Sequence, residues 1–181
     1  MSSKLSVKLL ILLVAASCLL PLLSFRPNIT EWVKVRLTPA VSVSFPEKPT
    51  QQEMNGIQIY KVARPEAVYM AMYLNHKSEA GQQTVTEARS YQFYLGMMNS
   101  MVRNVNGTLT DSASFSVGGV KGLDFSYTAQ QANGTVGRRR NRVLFRKNMV
   151  YSLAYTPLVQ ATDSSRAVEE RFLRSIEITK D

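Results

Sequence analysis

Residues 111–156 read DSASFSVGGVKGLDFSYTAQQANGTVGRRRNRVLFRKNMVYSLAYT, and they decide the fold because four strand patterns follow one another with only turn signals between them. In Leu123–Ala129 the apolar residues Leu123, Phe125, Tyr127 and Ala129 alternate with Asp124, Ser126 and Thr128. This is the period of two of a strand with one dry and one wet face. The next strand, Val136–Phe145, puts Val143 and Phe145 on one parity and Arg138, Arg140 and Arg142 on the other, with Arg146 following on the arginine side. A two-residue loop at Asn133-Gly134 would pair Phe125 with Arg142. A three-residue loop, Ala132-Asn133-Gly134, pairs Phe125 with Asn141, Leu123 with Val143 and Ser126 with Arg140 instead. The three-residue loop is expected, because it keeps Phe125 off the arginine row and lets Gly134 take the left-handed conformation that such loops end on. Gly118-Gly119 joins Ala113–Val117 to this hairpin, and Lys147-Asn148 leads into Met149–Thr156, where Met149, Tyr151, Leu153 and Tyr155 alternate again. Connections this short require antiparallel neighbours, so the stretch is a meander.

Working outward, Val41, Val43 and Phe45 alternate with serines until Pro46, a short strand, and Lys48–Asn55 reads as a polar loop. Asn55-Gly56 opens Ile57–Ala63, and Arg64-Pro65-Glu66 turns into Ala67–Asn75. Val68, Met70, Met72 and Leu74 share one face of that last strand, and Tyr69, Ala71 and Tyr73 the other. Apolar on both faces, it is expected to be central, covered on both sides and under a helix. Over 85–103, Ala88, Tyr91, Tyr94, Leu95, Met98, Met101 and Val102 recur at helical spacing behind a Thr84/Glu87 capping box, and Gly107 is the expected left-handed close. Beyond Pro157, Thr162, Asp163 or Ser164 caps a last helix with Val168, Phe172 and Ile176 inward and Glu169, Glu170, Arg171 and Arg174 in water. Ile176–Ile178 continues as a short strand or docks. This order argues an α+β fold, an antiparallel sheet with flanking helices.

The first 25 residues are different material. Lys4 and Lys8 precede the apolar run Leu9–Leu23, the layout of an export signal. Counted from Leu5 to Phe25 the run is also long enough to span a bilayer, so residues 1–27 read as a signal peptide or a transmembrane anchor. Ala15-Ala16-Ser17 ahead of Cys18 offers a cleavage site and resembles a bacterial lipoprotein signal, which makes Cys18 a lipidation candidate. Ala15 stands where leucine is usual, and Leu19–Leu23 replaces a polar tether. Residues 28–40 are a linker along the membrane surface or an edge strand carrying Trp32, and 41–181 are one domain. The expected location is exported or membrane-anchored, with the domain on the non-cytoplasmic side of a bacterial cell envelope or in its periplasm.

Chemistry is sparse in these 181 residues. With one cysteine, Cys18, there is no internal disulfide and no cysteine metal cluster, and with one histidine, His76, a histidine metal site is excluded. No metal or cofactor is expected. A hydrolase would have to join His76 to Asp111 or Asp124, two carboxylates that nothing in the spacing makes converge. Gly118-Gly119 and Gly122 lack the spacing and following helix of a phosphate loop. The formal charge of +9 falls to +6 once Lys4, Lys8 and Arg26 are set aside, which solubility alone explains. One cationic feature stands out: Arg138, Arg140, Arg142 and Arg146 on a single strand face. Such a row suits an anionic envelope polymer or lipid headgroups. Nucleic acid is not expected, since stacking aromatics are absent from that face. The competing reading is a solvated face kept from edge pairing by its charge, or one whose arginines lie over the tyrosines of a packed helix.

Several short motifs together support a resemblance: Val43-Ser44-Phe45-Pro46-Glu47-Lys48-Pro49, a strand with Tyr73, a helix, Gly122, Arg142-Val143-Leu144-Phe145, Val150-Tyr151-Ser152-Leu153 and Phe172-Leu173-Arg174-Ser175-Ile176. Residues 41–178 resemble small bacterial envelope proteins related in fold to the photosystem II protein PsbP and to the nuclear-import factor Mog1. The resemblance implies an antiparallel sheet flanked by helices with no shared active site. It leads to a non-catalytic envelope-facing accessory or protein-binding domain.

Overall fold

The computed structural model describes residues 31–75, 87–131 and 134–179. The order is β1 (Val33–Thr38), β2 (Val41–Phe45), β3 (Thr50–Met54), β4 (Ile57–Ala63), β5 (Ala67–Asn75), α1 (Glu87–Asn104), β6 (Thr108–Val117), β7 (Val120–Gln130), β8 (Val136–Arg146), β9 (Met149–Pro157), α2 (Asp163–Arg174) and β10 (Glu177–Ile178). Seven strands form one antiparallel sheet in the order β3-β4-β5-β9-β8-β7-β6, and β1-β2-β10 form a second. The meander β6–β9 is present, with Phe125 opposite Asn141, Leu123 opposite Val143 and Ser126 opposite Arg140. Gly134 ends its loop at φ 81°. Both residues of Gly118-Gly119 and of Lys147-Asn148 have positive φ, the twist that lets a two-residue turn join right-handed strands.

Strand parity splits the interior into two cores. Leu123, Phe125, Tyr127 and Ala129 of β7 and Val143 of β8 face α1, where Tyr94, Met98 and Val102 cover them. The Tyr94 hydroxyl accepts the Phe145 N–H at 2.9 Å and donates to the Lys121 carbonyl at 2.9 Å, tying the helix to two strands. On the opposite face Tyr69, Leu144, Tyr151, Leu153 and Tyr155 meet Val41, Val43 and Phe45 of β2 and Phe172 and Leu173 of α2. Each such side chain contributes roughly 1.5–3 kcal/mol of hydrophobic burial.

Several expectations change. Thr50–Met54 is not loop but strand β3, paired with β4. It is exposed throughout, so neither face demands alternation. At the end of α1, Asn106 and not Gly107 is left-handed (φ 48°), and Gly107 N–H bonds the Val102 carbonyl at 2.9 Å, a Schellman close. A glycine is still needed at 107, because a Cβ would sit 2.8 Å from the Thr128 carbonyl oxygen. Strand β5 is central, but α1 packs on β6, β7 and β8, and Val68, Met70, Met72 and Leu74 stay half-buried. Thr162 is the cap of α2, in a reciprocal bond with Ser165. Trp32 packs on the domain, edge-on to Tyr69 and beneath the Arg171 guanidinium.

The transmembrane helix expected from the sequence is corrected: among the described residues, no helix is long and apolar enough to cross a membrane. The run Leu9–Leu23 behind that expectation, together with Cys18, His76 and Thr84, lies outside the described residues.

Candidate functional site

Because β8 alternates, Arg138, Arg140 and Arg142 point to the face that carries α2, and their cross-strand partners on β7 are Thr128, Ser126 and Asp124. Asp124 is the hub. Its carboxylate accepts Arg140 Nε at 2.8 Å and Nη2 at 2.9 Å, a bidentate fork, and Arg142 Nη2 at 2.6 Å and Nε at 3.1 Å. Four charge-assisted bonds converge on one carboxylate, three of them on Oδ2. Arg142 also donates to the Leu173 carbonyl at 2.8 Å, and its guanidinium lies 4.4 Å from the centroid of the Phe115 ring.

Helix α2 supplies the remaining acceptors. Arg138 Nη1 reaches both Glu169 oxygens at 3.0 and 3.1 Å, and its Nη2 donates to Ser126 Oγ at 3.0 Å. Arg140 Nη1 donates to Glu170 and lies 3.6 Å from Glu169. Burial opposes the charge on Arg140, but its bonds to Asp124 and Glu170 outweigh that and hold it firmly protonated. Burial likewise pushes the Glu170 carboxyl up, yet Arg140 and Arg174 outweigh it and leave the group below the usual carboxylate range. The Glu169 side chain is 6 % exposed, so it does not face water as its residue type suggested. Arg146 stands apart from this cluster and reaches the Thr179 carbonyl at 3.3 Å.

The structure therefore gathers Arg138, Arg140 and Arg142 with Asp124, one of the two carboxylates considered for a hydrolase. Asp111 sits on β6 opposite Ser126. Sequence reasoning missed Glu169 and Glu170 as partners of the row. The signal was the acidic pair itself, the one place in the sequence where two acidic residues are adjacent, on a helix that has to cover the sheet.

Among the described residues, cavities lie at the arginine cluster and elsewhere on the domain. One of about 340 Å³ is lined by Arg138, Arg140, Arg166, Glu169 and Glu170. A second, about 280 Å³, lies beside Lys34, Arg36 and Glu177. A third, about 230 Å³ and mainly apolar, is formed by Glu66, Tyr69, Tyr155, Val159, Thr162 and Val168 where β9 leads into α2. Its two tyrosines are 1 % and 2 % exposed. Burial, each other's charge and nearby carboxylates raise the Tyr69 hydroxyl far above its ordinary value, and burial with Glu169 and Glu66 raises Tyr155. Both stay neutral donors at any physiological pH. Leu158 and Val159 on the adjoining loop are 44 % and 55 % exposed. Among the described residues no group of three or more His, Cys, Asp or Glu side chains is placed to hold a metal ion.

No family model and no curated protein matches the chain. Solved structures do. A solution structure of the cyanobacterial PsbP protein CyanoP from Synechocystis is similar at a TM-score of 0.61 and 7 % identity, covering 85 % of this chain and 96 % of that one. A protein of unknown function from Pseudomonas aeruginosa matches at a TM-score of 0.47 and 13 % identity over 83 % of this chain and 98 % of that chain. LpqN of Mycobacterium tuberculosis, described as involved in cell envelope biogenesis, matches at 0.38 and 14 % identity over 85 % and 80 %. The likeness to CyanoP is one of fold.

Proposed function

We propose that this chain is a non-catalytic accessory domain that works outside the cytoplasm, in the cell envelope, and binds a protein partner there. The observation that carries this reading is the apolar cavity of about 230 Å³ beside Tyr69, Tyr155 and Val159. Ligand pockets for small molecules run from roughly 300 to 1,000 Å³. A smaller apolar recess flanked by exposed Leu158 and Val159 suits one anchoring side chain of a partner, the arrangement of an interface hot spot. In this reading the inner arginines of the row, Arg140 and Arg142, serve the fold, while Arg138 stays half-exposed at its end. Arg140 and Arg142 hold Asp124 and α2 in place, and an anionic polymer or lipid headgroup would have to compete with carboxylates already in position.

The leader supports export, and Cys18 is the residue at which a lipid would attach. PsbP-like architecture at a TM-score of 0.61 fits an accessory role. The test is a photo-crosslinking residue placed at Val159 of the full-length protein in intact cells. One discrete adduct is expected, lost on Leu158→Asp and absent when the crosslinker sits at exposed Gln52 on β3. Equal labelling from both positions would overturn the reading.

A further inference from the structure

We propose that the free edge of the large sheet joins two copies of this chain, independently of the partner site above. β6 ends the seven-stranded sheet: one side of its backbone bonds β7, and among the described residues no strand lies along the other. Unpaired edge backbone is a template for another strand. Natural edges are blunted by shortness, charge, proline or a bulge, and the irregularity of β6 falls near its start, between Leu109 and Asp111. β3, the opposite edge, is short, 5 residues. β6 has 10, exposed over most of their length, with Asp111 as its one charge and no Lys, Arg or Pro.

Self-complementarity selects the occupant. The register of β6 against β7 shifts between Leu109 and Asp111, and the turn follows Val117, so the regular part is Asp111–Val117. Its midpoint is Ser114. A two-fold axis perpendicular to the sheet through Ser114 uses all of that stretch, about 24 Å at some 3.4 Å per residue. It places Ala113 opposite Phe115 of the second copy, Ser112 opposite Ser116, Ser114 opposite itself and Asp111 opposite Val117. Apolar meets apolar, small meets large, serine meets serine, and the two aspartates never face each other. An axis at Ala113 would set Ser116 and Val117 against the irregular Thr110 and Leu109, and one at Phe115 would leave Asp111 and Ser112 without strand partners. The product is one continuous sheet across both copies with α1 of each on the same face, an isologous contact.

Cysteine cross-linking reads the register directly. In the purified full-length chain with its single cysteine replaced (Cys18→Ser), Ser114→Cys is oxidised under mild conditions. A disulfide-linked dimer is expected, since directly opposite residues have Cα atoms about 4.5–5.5 Å apart. Ser116→Cys alone gives none, because the two copies of that residue lie about 14 Å apart along the strands; mixed with Ser112→Cys it cross-links. Ser114→Lys is expected to halve the mass measured by light scattering, whereas Gln52→Lys on β3 leaves it unchanged. A native chain that is monomeric at every concentration, or cross-linking as efficient at 116 alone as at 114, overturns the proposal.

Discussion

At Asp124 one carboxylate pairs with two guanidinium groups in a setting where its own side chain and that of Arg142 are each 10 % exposed. Deleting one partner of a buried pair leaves the other charged and desolvated, and typically costs about 3–5 kcal/mol. Asp124→Ala removes the carboxylate that Arg142 bonds and leaves that guanidinium the Leu173 carbonyl and the Phe115 ring. Removing Arg142 is milder, because Asp124 keeps the Arg140 fork. Urea unfolding is expected to place Asp124→Ala roughly 3–5 kcal/mol below the native protein and Arg142→Leu clearly above Asp124→Ala. The reverse order would mean that the arginine, not the acid, is the hub.

Among the elements, α2 carries the pH dependence that the structure predicts. The folded-state pKa of Glu170 is depressed, so its stabilising contribution is fully present above the unfolded value of about 4.3 and is lost as pH falls through the lower folded value. Its side chain is 39 % exposed, so solvent screening keeps the effect modest. Thermal unfolding from pH 7 downward is expected to show Glu170→Gln less stable at neutral pH and converging with the native protein in acid; a constant gap would contradict the assignment. The elements also differ in how visible they are in sequence. The meander is legible because parity and turn residues act locally: Phe125 and Val143 must share a face, and Gly134 must close the loop. β3 is not, since Thr50–Met54 has water on both faces and only Asn55-Gly56 (φ 52° and 76°) marks the hairpin. Glu169 misleads for a different reason. A glutamate on a helix is ordinarily solvated, and only the arginines of a strand some thirty positions away in the chain invert that preference. The pairing of β2 with β10 is equally non-local, and periodicity within either segment cannot announce it.

Seen whole, the domain has two different ways of holding a helix on one sheet. α1 sits on a dry face of aromatic and aliphatic side chains. α2 combines Phe172 and Leu173 with an ionic rim. The row of arginines that makes the sequence look like an anion-binding surface is then a docking face for the chain's own C-terminal helix. Among the described residues, the apolar recess at the start of α2 and the edge of β6 are the two surfaces on which the proposals above rest.

The sharpest measurement is a double-mutant cycle between Arg140 on the sheet and Glu169 on the helix, using Arg140→Met, Glu169→Gln and the pair, each followed by urea unfolding. Two groups in one buried network typically couple by about 0.5–3 kcal/mol, and a favourable coupling in that range is predicted here. Strictly additive single effects would show that Arg140 and Glu169 do not belong to one coupled network, and the account of this face would fail at its centre.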